Sequence, residues 1–278
     1  MVHVKHASTL RAHLVTTRLS GAIATRREKS LLRYRQFAAR DPGVLLGLEP
    51  ERDWRLPDVL ALMAAECGVS GDPTRMTGPD TIDPDRTISA LEAFADRLAV
   101  AARCRVPVLL GTGHPDRLLG FYAALAASLA RVGCPVLEPA QGRCVDITTR
   151  FGVRTHRLSY VRGVALVHEK GARRQSDAPG VHTHSPLPLR TALTAAAAAG
   201  GPVPELVIGD HGWVCAAGQL GIEAMGPADA DDPALFVGQA EGRVSVVVPV
   251  DDAVCPVHYG PLARYVLSRA DMPFGFPE

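Results

Sequence analysis

Leu206-Val207-Ile208-Gly209-Asp210-His211-Gly212-Trp213 decides the reading of this chain. A short β-rich apolar run closed by an acid and an imidazole predicts a buried parallel strand with its polar residues at the carboxyl end. In an open α/β sheet such ends face the ligand crevice. Gly212 gives the backbone room to turn sharply there.

The same pattern recurs on both sides. Upstream lie Gly111-Thr112-Gly113-His114-Pro115 and His182-Thr183-His184-Ser185-Pro186; downstream lies Ala228-Asp229-Ala230-Asp231-Asp232-Pro233. Four segments far apart in sequence thus carry His or Asp at expected strand ends or loops, the pattern of one assembled site. Val106 to Leu110 reads as a buried strand, followed by the glycine turn, a long apolar-rich helix from about Pro115 to Val132, and a further strand at Gly133 to Leu137. That strand–turn–helix–strand unit is the α/β repeat. Arg157 to His168 predicts paired strands, Gly171 to Gly180 a polar loop or hairpin tip, and Arg190 to Ala199 an alanine-rich helix. A helix near Ala216 to Leu220, a strand from Ile222 to Met225, a strand from Arg243 to Val250 ending in Asp251-Asp252, and a helix from Val257 to Leu267 complete this part.

Residues before Val106 read as helical. Ser8 begins one helix, Glu28 to Ala39 a second and Leu56 to Cys67 a third. Asp83-Pro84-Asp85-Arg86 is a strong start signal, with Asp83 as N-cap and Pro84 at the first helical position. The expected architecture is α/β: a mainly parallel sheet flanked by helices, with an N-terminal helical cap over 1–105 and an α/β core over 106–278.

With 278 residues, 47% hydrophobic and 21% charged, the composition is that of a globular protein. A formal net charge of +1 gives no electrostatic case for nucleic acid or a membrane surface. No apolar run approaches the roughly 20 residues that span a bilayer, and the start lacks a signal-peptide core, so a cytoplasmic protein is expected. The six cysteines form no CxxC pair, which argues against a zinc ribbon or a disulfide framework. The sequence leaves room for a homo-oligomer.

His182 and His184 stand two apart, so on extended backbone both point to one face and can ligate one metal. Taken alone, such a pair is as readily bonded to backbone. Asp210, Asp229 and Asp232 are hard oxygen ligands suited to magnesium or manganese before zinc, although aspartates before Pro233 also serve turns and caps. His114, Asp210 and His211 are the candidate catalytic residues. Gly111, Thr112 and Gly113, ahead of a helix start, are candidates to cradle a phosphate through backbone N–H groups. The turn is neither a Walker A motif nor GxGxxG. Arginines of the helical part read mostly as solvated, with Arg18 and Arg26 the candidates to reach an anionic substrate. Metal-assisted phosphate-ester hydrolysis fits this set.

The four motifs together resemble an actinobacterial family catalogued as "phosphatase". The likeness extends through Ala234-Leu235-Phe236, to the helix start at Thr81-Ile82-Asp83-Pro84-Asp85-Arg86-Thr87 and to Val248-Pro249-Val250-Asp251-Asp252. Asn is usual at position 231 of that pattern, and Asp231 departs from it. The resemblance implies phosphomonoester hydrolysis. A phosphorylated small molecule, a sugar phosphate or nucleotide, is the expected substrate. Two other classes fit the residues. One is a metallohydrolase acting on a C–N bond; the other is a non-catalytic nucleotide-binding protein using the Gly111 turn.

Overall fold

In chain order the elements are α1 (Val2–Thr16), β1 (Gly21–Arg26), α2 (Arg27–Ala38), α3 (Pro42–Leu45), α4 (Leu56–Glu66), β2 (Pro79–Ile82), α5 (Pro84–Cys104), β3 (Val108–Gly111) and α6 (Pro115–Arg131). They continue with β4 (Cys144–Thr149), β5 (Gly152–Val161), β6 (Val164–Glu169), α7 (Leu187–Ala198), β7 (Leu206–Gly209), α8 (His211–Gln219), β8 (Glu223–Ala228), α9 (Pro233–Ala240), β9 (Val246–Pro249) and α10 (Gly260–Arg269). This is a computed structural model that describes residues 2–149, 152–170 and 180–274. The polar loop expected from Gly171 falls, up to residue 179, outside the described residues.

Seven strands form one sheet in the order β4-β5-β6-β3-β7-β8-β9. Strands β6, β3, β7, β8 and β9 run parallel, while β4 and β5 add an antiparallel edge. The α/β fold with a mainly parallel sheet is therefore as the sequence indicates. Alternation along the strands divides the core. Leu109, Val207 and Val247 face one apolar cluster; Val108, Leu110, Leu206, Ile208, Val246 and Val248 face the other. Helices α2, α4, α7, α8 and α9 supply the first cluster, and α1, α5, α6 and α10 the second. Both clusters draw on residues from either side of position 105.

Asp83 caps α5 as read, its carboxylate accepting the Asp85 N–H. Other local expectations need correction. The first 105 residues are not all helical: β1 and β2 form a two-stranded antiparallel sheet. Gly21 to Arg26 holds a single large aliphatic residue, so its period was too weak to read as a strand. Gly133 to Leu137 is not a full strand; only Val136 bridges to Val108, and Pro135 has no N–H for a ladder. Strand β4 went unread, because its alternation of buried Val145 and Ile147 with exposed Asp146 and Thr148 is only two apolar residues long. Helix α8 begins at His211, five residues before the expected start.

Strand β8 continues through Gly226 and Pro227, beyond its pairing with β7. A Cβ on Gly226 would collide with the Gly209 carbonyl oxygen, so only glycine allows this approach. The chain leaves β3 toward β6 on one side and later returns to β7 on the other. The ends of β3 and β7 thus flank a topological switch point, where α/β sheets open their crevice.

Candidate active site at four strand ends

Four parallel strands end in polar residues at this edge. Strand β3 leads into Thr112, Gly113 and His114; β7 into Asp210 and His211; β8 into Asp229, Asp231 and Asp232; β9 into Asp251 and Asp252. The segment Gly180 to His184 crosses above them. Its backbone is fixed by Val181 N–H donating to Val167 and Thr183 N–H donating to Gly113, at 2.7 and 3.0 Å. A Cβ on Gly113 would collide with the Thr183 oxygen, and one on Gly212 with the backbone of His184 and Ser185. Both glycines therefore admit the His182–His184 segment, and Gly212 also starts a tight helix.

The imidazoles converge. Ligand atoms of His114, His182, His184 and His211 all lie within 4.8 Å of one another. The His114 ring is 4.0 Å from that of His182, and the His184 ring stacks at 4.0 Å on that of His211. Two further groups adjoin, His211 with Asp232 and Asp252, and Asp229 with Asp251 and Asp252. His211 and Asp252 each belong to two groups, so the three form one continuous chain of donors. His211 Nε2 lies 3.0 Å from Asp232 Oδ2, while its buried Nδ1 has no hydrogen-bond partner. The backbone of His211 holds φ 46°, a left-handed conformation that is costly for a residue with a Cβ.

Asp210 occupies the base of the site rather than any of the three donor groups. Its Oδ1 accepts the Gly113 N–H at 2.7 Å; its Oδ2 accepts from Thr112 Oγ1 at 3.4 Å and from His114 Nδ1 at 3.2 Å. Both oxygens are thus engaged, and Asp210, expected from sequence among the metal ligands, stands outside the three donor groups. In the turn from Gly111 to Pro115, expected to cradle a phosphate, the amides already have partners. Thr112 N–H donates to Ala165, Gly113 N–H to Asp210 and His114 N–H to Thr112 Oγ1, and Pro115 has none to give. Gly111 is small for packing: a Cβ there would collide with the Trp213 ring.

Burial alone would disfavour charge on His114, but the hydrogen bond to Asp210 and the charges of Asp252 and Asp210 outweigh it and raise its pKa to about 9. Burial and the charge of His114 push His182 down to about 4. His184 is lowered, chiefly by burial, and His211 lies well below the ordinary imidazole range for the same reason. Burial raises Asp229 and Asp252 well above the usual carboxylate range; neighbouring aspartates add to this in both. Asp210 is held low despite burial by its bond to His114.

Over residues 5–273 the sequence matches the Phosphatase family. The chain belongs to that family. It is similar to Phosphatase SCO2771 of Streptomyces coelicolor, with 43% identity over 267 residues that cover 95% of each chain.

In this phosphatase the amino-terminal segment completes the site, which the sequence did not signal. Ala24 N–H donates to Asp251 Oδ2 at 3.0 Å, Thr25 Oγ1 to Asp229 Oδ2 at 2.5 Å and Tyr34 OH to Ala230 O at 2.6 Å. Lys29 Nζ lies 2.8 Å and Arg33 Nε 3.8 Å from Asp231 Oδ2. A buried ion pair between Arg27 and Asp80 fixes the segment to β2. The arginines singled out earlier are engaged elsewhere. Arg18 donates to the carbonyls of Ala22 and Ile23, and Arg26 pairs with Glu28. Lys29 and Arg33 lie four residues apart on α2, and the fold places that face against Asp231. Among the described residues, no helix is long and apolar enough to cross a membrane.

Proposed function

We propose that this phosphatase hydrolyses a small-molecule phosphomonoester, a sugar phosphate or nucleotide, with the help of divalent metal. The observation that carries this reading is the convergence of four imidazoles with buried aspartates at one strand edge. Asp210, Asp229, Asp231, Asp232, Asp251 and Asp252 are all buried, and such a like-charge cluster is costly without added positive charge. The unpartnered Nδ1 of His211 and the neutral imidazoles of His182 and His184 suit the same interpretation, since ligation requires deprotonated nitrogen.

His182, His184, His211, Asp232 and Asp252 would hold metal at the nitrogen-rich end, and Asp229, Asp251 and Asp252 at the oxygen-only end. Manganese suits both ends, zinc the first and magnesium the second. A bound divalent ion supplies positive charge where phosphoryl charge develops and lowers the pKa of water beside it. His114, charged and aligned by Asp210, donates a proton to the departing ester oxygen. Asp210 keeps that imidazole in place through Nδ1, and Thr112 and Gly113 in turn fix Asp210. His182, the exposed member of the four, stands at the entrance.

Metal analysis of the purified protein, combined with a screen of phosphorylated metabolites for released phosphate, tests this reading. Bound metal and chelator-sensitive phosphate release are expected. Full turnover in chelator with no metal bound, or release of amine instead of phosphate, overturns it.

A further inference from the structure

Lys29 and Arg33 are four residues apart on α2 and so share one face of the helix. Both reach the same oxygen of Asp231, at 2.8 and 3.8 Å. Asp231 is 5% exposed and stands between Asp229 and Asp232. Two cations against one carboxylate leave a net positive charge beside an otherwise acidic site. The longer distance is outside hydrogen-bonding range, so Arg33 is drawn toward Asp231 without being bound by it. Arg33 Nη1 donates to Gln36 Oε1 at 3.3 Å, and Nη2 donates to no described residue. The Lys29 side chain is 55% and that of Arg33 29% exposed, so both remain open to a ligand from solvent. Arg33 is also close enough to His184 for its charge to oppose protonation of that ring. The face is rigidly mounted, because Tyr34 on the same helix is tied to Ala230.

A phosphate ester is an anion, and its approach to six buried aspartates needs cations at the rim. The backbone amides after β3 are already spent. We propose that Lys29 and Arg33 form the subsite that binds the phosphoryl oxygens of the substrate, with Asp231 as a tethered carboxylate occupying the pair until substrate arrives. Arginine contributes a planar fork for two oxygens and lysine a point charge. The ligand class is a phosphomonoester dianion or inorganic phosphate. The inference rests on the proposed phosphomonoester hydrolysis for the substrate's identity, while the anion subsite itself is read from the cation pair.

The test uses the metal-loaded full chain and four variants, Lys29→Gln, Arg33→Gln, Arg33→Lys and Asp231→Asn. Inorganic phosphate binding is measured by calorimetry, and p-nitrophenyl phosphate turnover gives kcat and KM separately. Metal content is measured on each variant. Arg33→Gln and Lys29→Gln should each weaken phosphate binding and raise KM by roughly tenfold to hundredfold, with metal content unchanged. Arg33→Lys should recover part of that loss. Asp231→Asn removes the internal competitor and should leave phosphate binding equal or tighter, which a purely structural role for the pair does not produce. Wild-type phosphate affinity and KM in the Lys29→Gln, Arg33→Gln double variant overturn the subsite. So does loss of metal in step with loss of phosphate. If the wild type binds phosphate through this pair yet hydrolyses no phosphomonoester, the subsite stands and the hydrolysis reading fails.

Discussion

Nδ1 of His114 donates to Oδ2 of Asp210 across 3.2 Å, joining the residues that follow β3 and β7. The two are 96 positions apart in sequence. Asp252 Oδ2 lies 3.6 Å from the same nitrogen. Through this contact two adjacent strands present one imidazole in a fixed orientation to the donors of the other strand ends.

Asp210→Asn keeps an oxygen for the Gly113 N–H but turns an amide toward His114. The ring then loses its anionic partner and its alignment. Turnover should fall by roughly 10²-fold or more, the scale of a positioned proton donor. The melting temperature should move much less, because volume and the bond to Gly113 survive. Steady-state kinetics and thermal melts on the same preparation check this; near-wild-type kcat would remove Asp210 from the mechanism.

In chelated protein, stability should decline between pH 6.5 and about 9. His114 rises from 6.5 to about 9 on folding, so its contribution is complete below 6.5 and disappears as pH climbs through the folded value. Asp229 and Asp252, also raised, bind more protons in the folded state and shift stability in the same direction. His182, His184 and His211, all lowered, are neutral in both states through most of this window and contribute little slope. Added manganese should flatten the profile by supplying charge that protons otherwise provide. Melting curves across pH, with and without metal, show the difference; identical slopes contradict it.

Thr25 Oγ1 donates to Asp229 Oδ2 at 2.5 Å. Thr25→Val keeps the shape and removes this donor. Outer hydrogen bonds to a ligating carboxylate are worth roughly 10–100-fold in metal affinity. Titration of chelated protein with manganese should reveal a weakening of that order. Unchanged affinity would separate Asp229 from the metal-holding group.

Gly113→Ala should be far more damaging than Gly120→Ala. A Cβ at Gly113 meets the Thr183 carbonyl, whereas one at Gly120 meets nothing within 4 Å. The first displaces the segment that carries His182 and His184, so metal content and turnover should both drop. The second replaces glycine on α6 by the best helix former and should stabilise by up to about 1 kcal/mol. Equal behaviour of the two variants would refute this account of Gly113.

The sheet and the site were legible to different depths. Leu206 to Gly209 and Val106 to Leu110 announced buried strands, because short apolar runs followed by glycine leave few alternatives; the second begins at Val108 and ends at Gly111. That His114, His182, His184, Asp210, His211, Asp229 and Asp232 lie close together was legible in part, because parallel strands bring their carboxyl ends to one edge. Asp251 and Asp252 were visible as the close of β9, but nothing local distinguished them from a solvated turn. The contribution of Ala24, Thr25 and Lys29 was not legible. A lone hydroxyl or amide gains its role only from contacts about 200 residues away, which periodicity does not encode. The partners of Asp210 and of the amides in the Gly111–Pro115 turn were not legible for a related reason. Sequence locates a polar group but does not reveal which partner already satisfies it.

The hydrogen bonds from Ala24 and Thr25 to Asp251 and Asp229 also set an order of events during synthesis. Residues 24 and 25 are made long before residues 229 and 251, and must wait for them. Until Asp229, Asp231 and Asp251 have emerged, β1 and α2 lack the acidic partners they close upon, and until Asp252 has emerged the two donor groups that include it are incomplete. Closure of this segment onto the strand ends is therefore a late event, and a chain interrupted before β9 leaves Ala24 and Thr25 without one of the two acids that hold them.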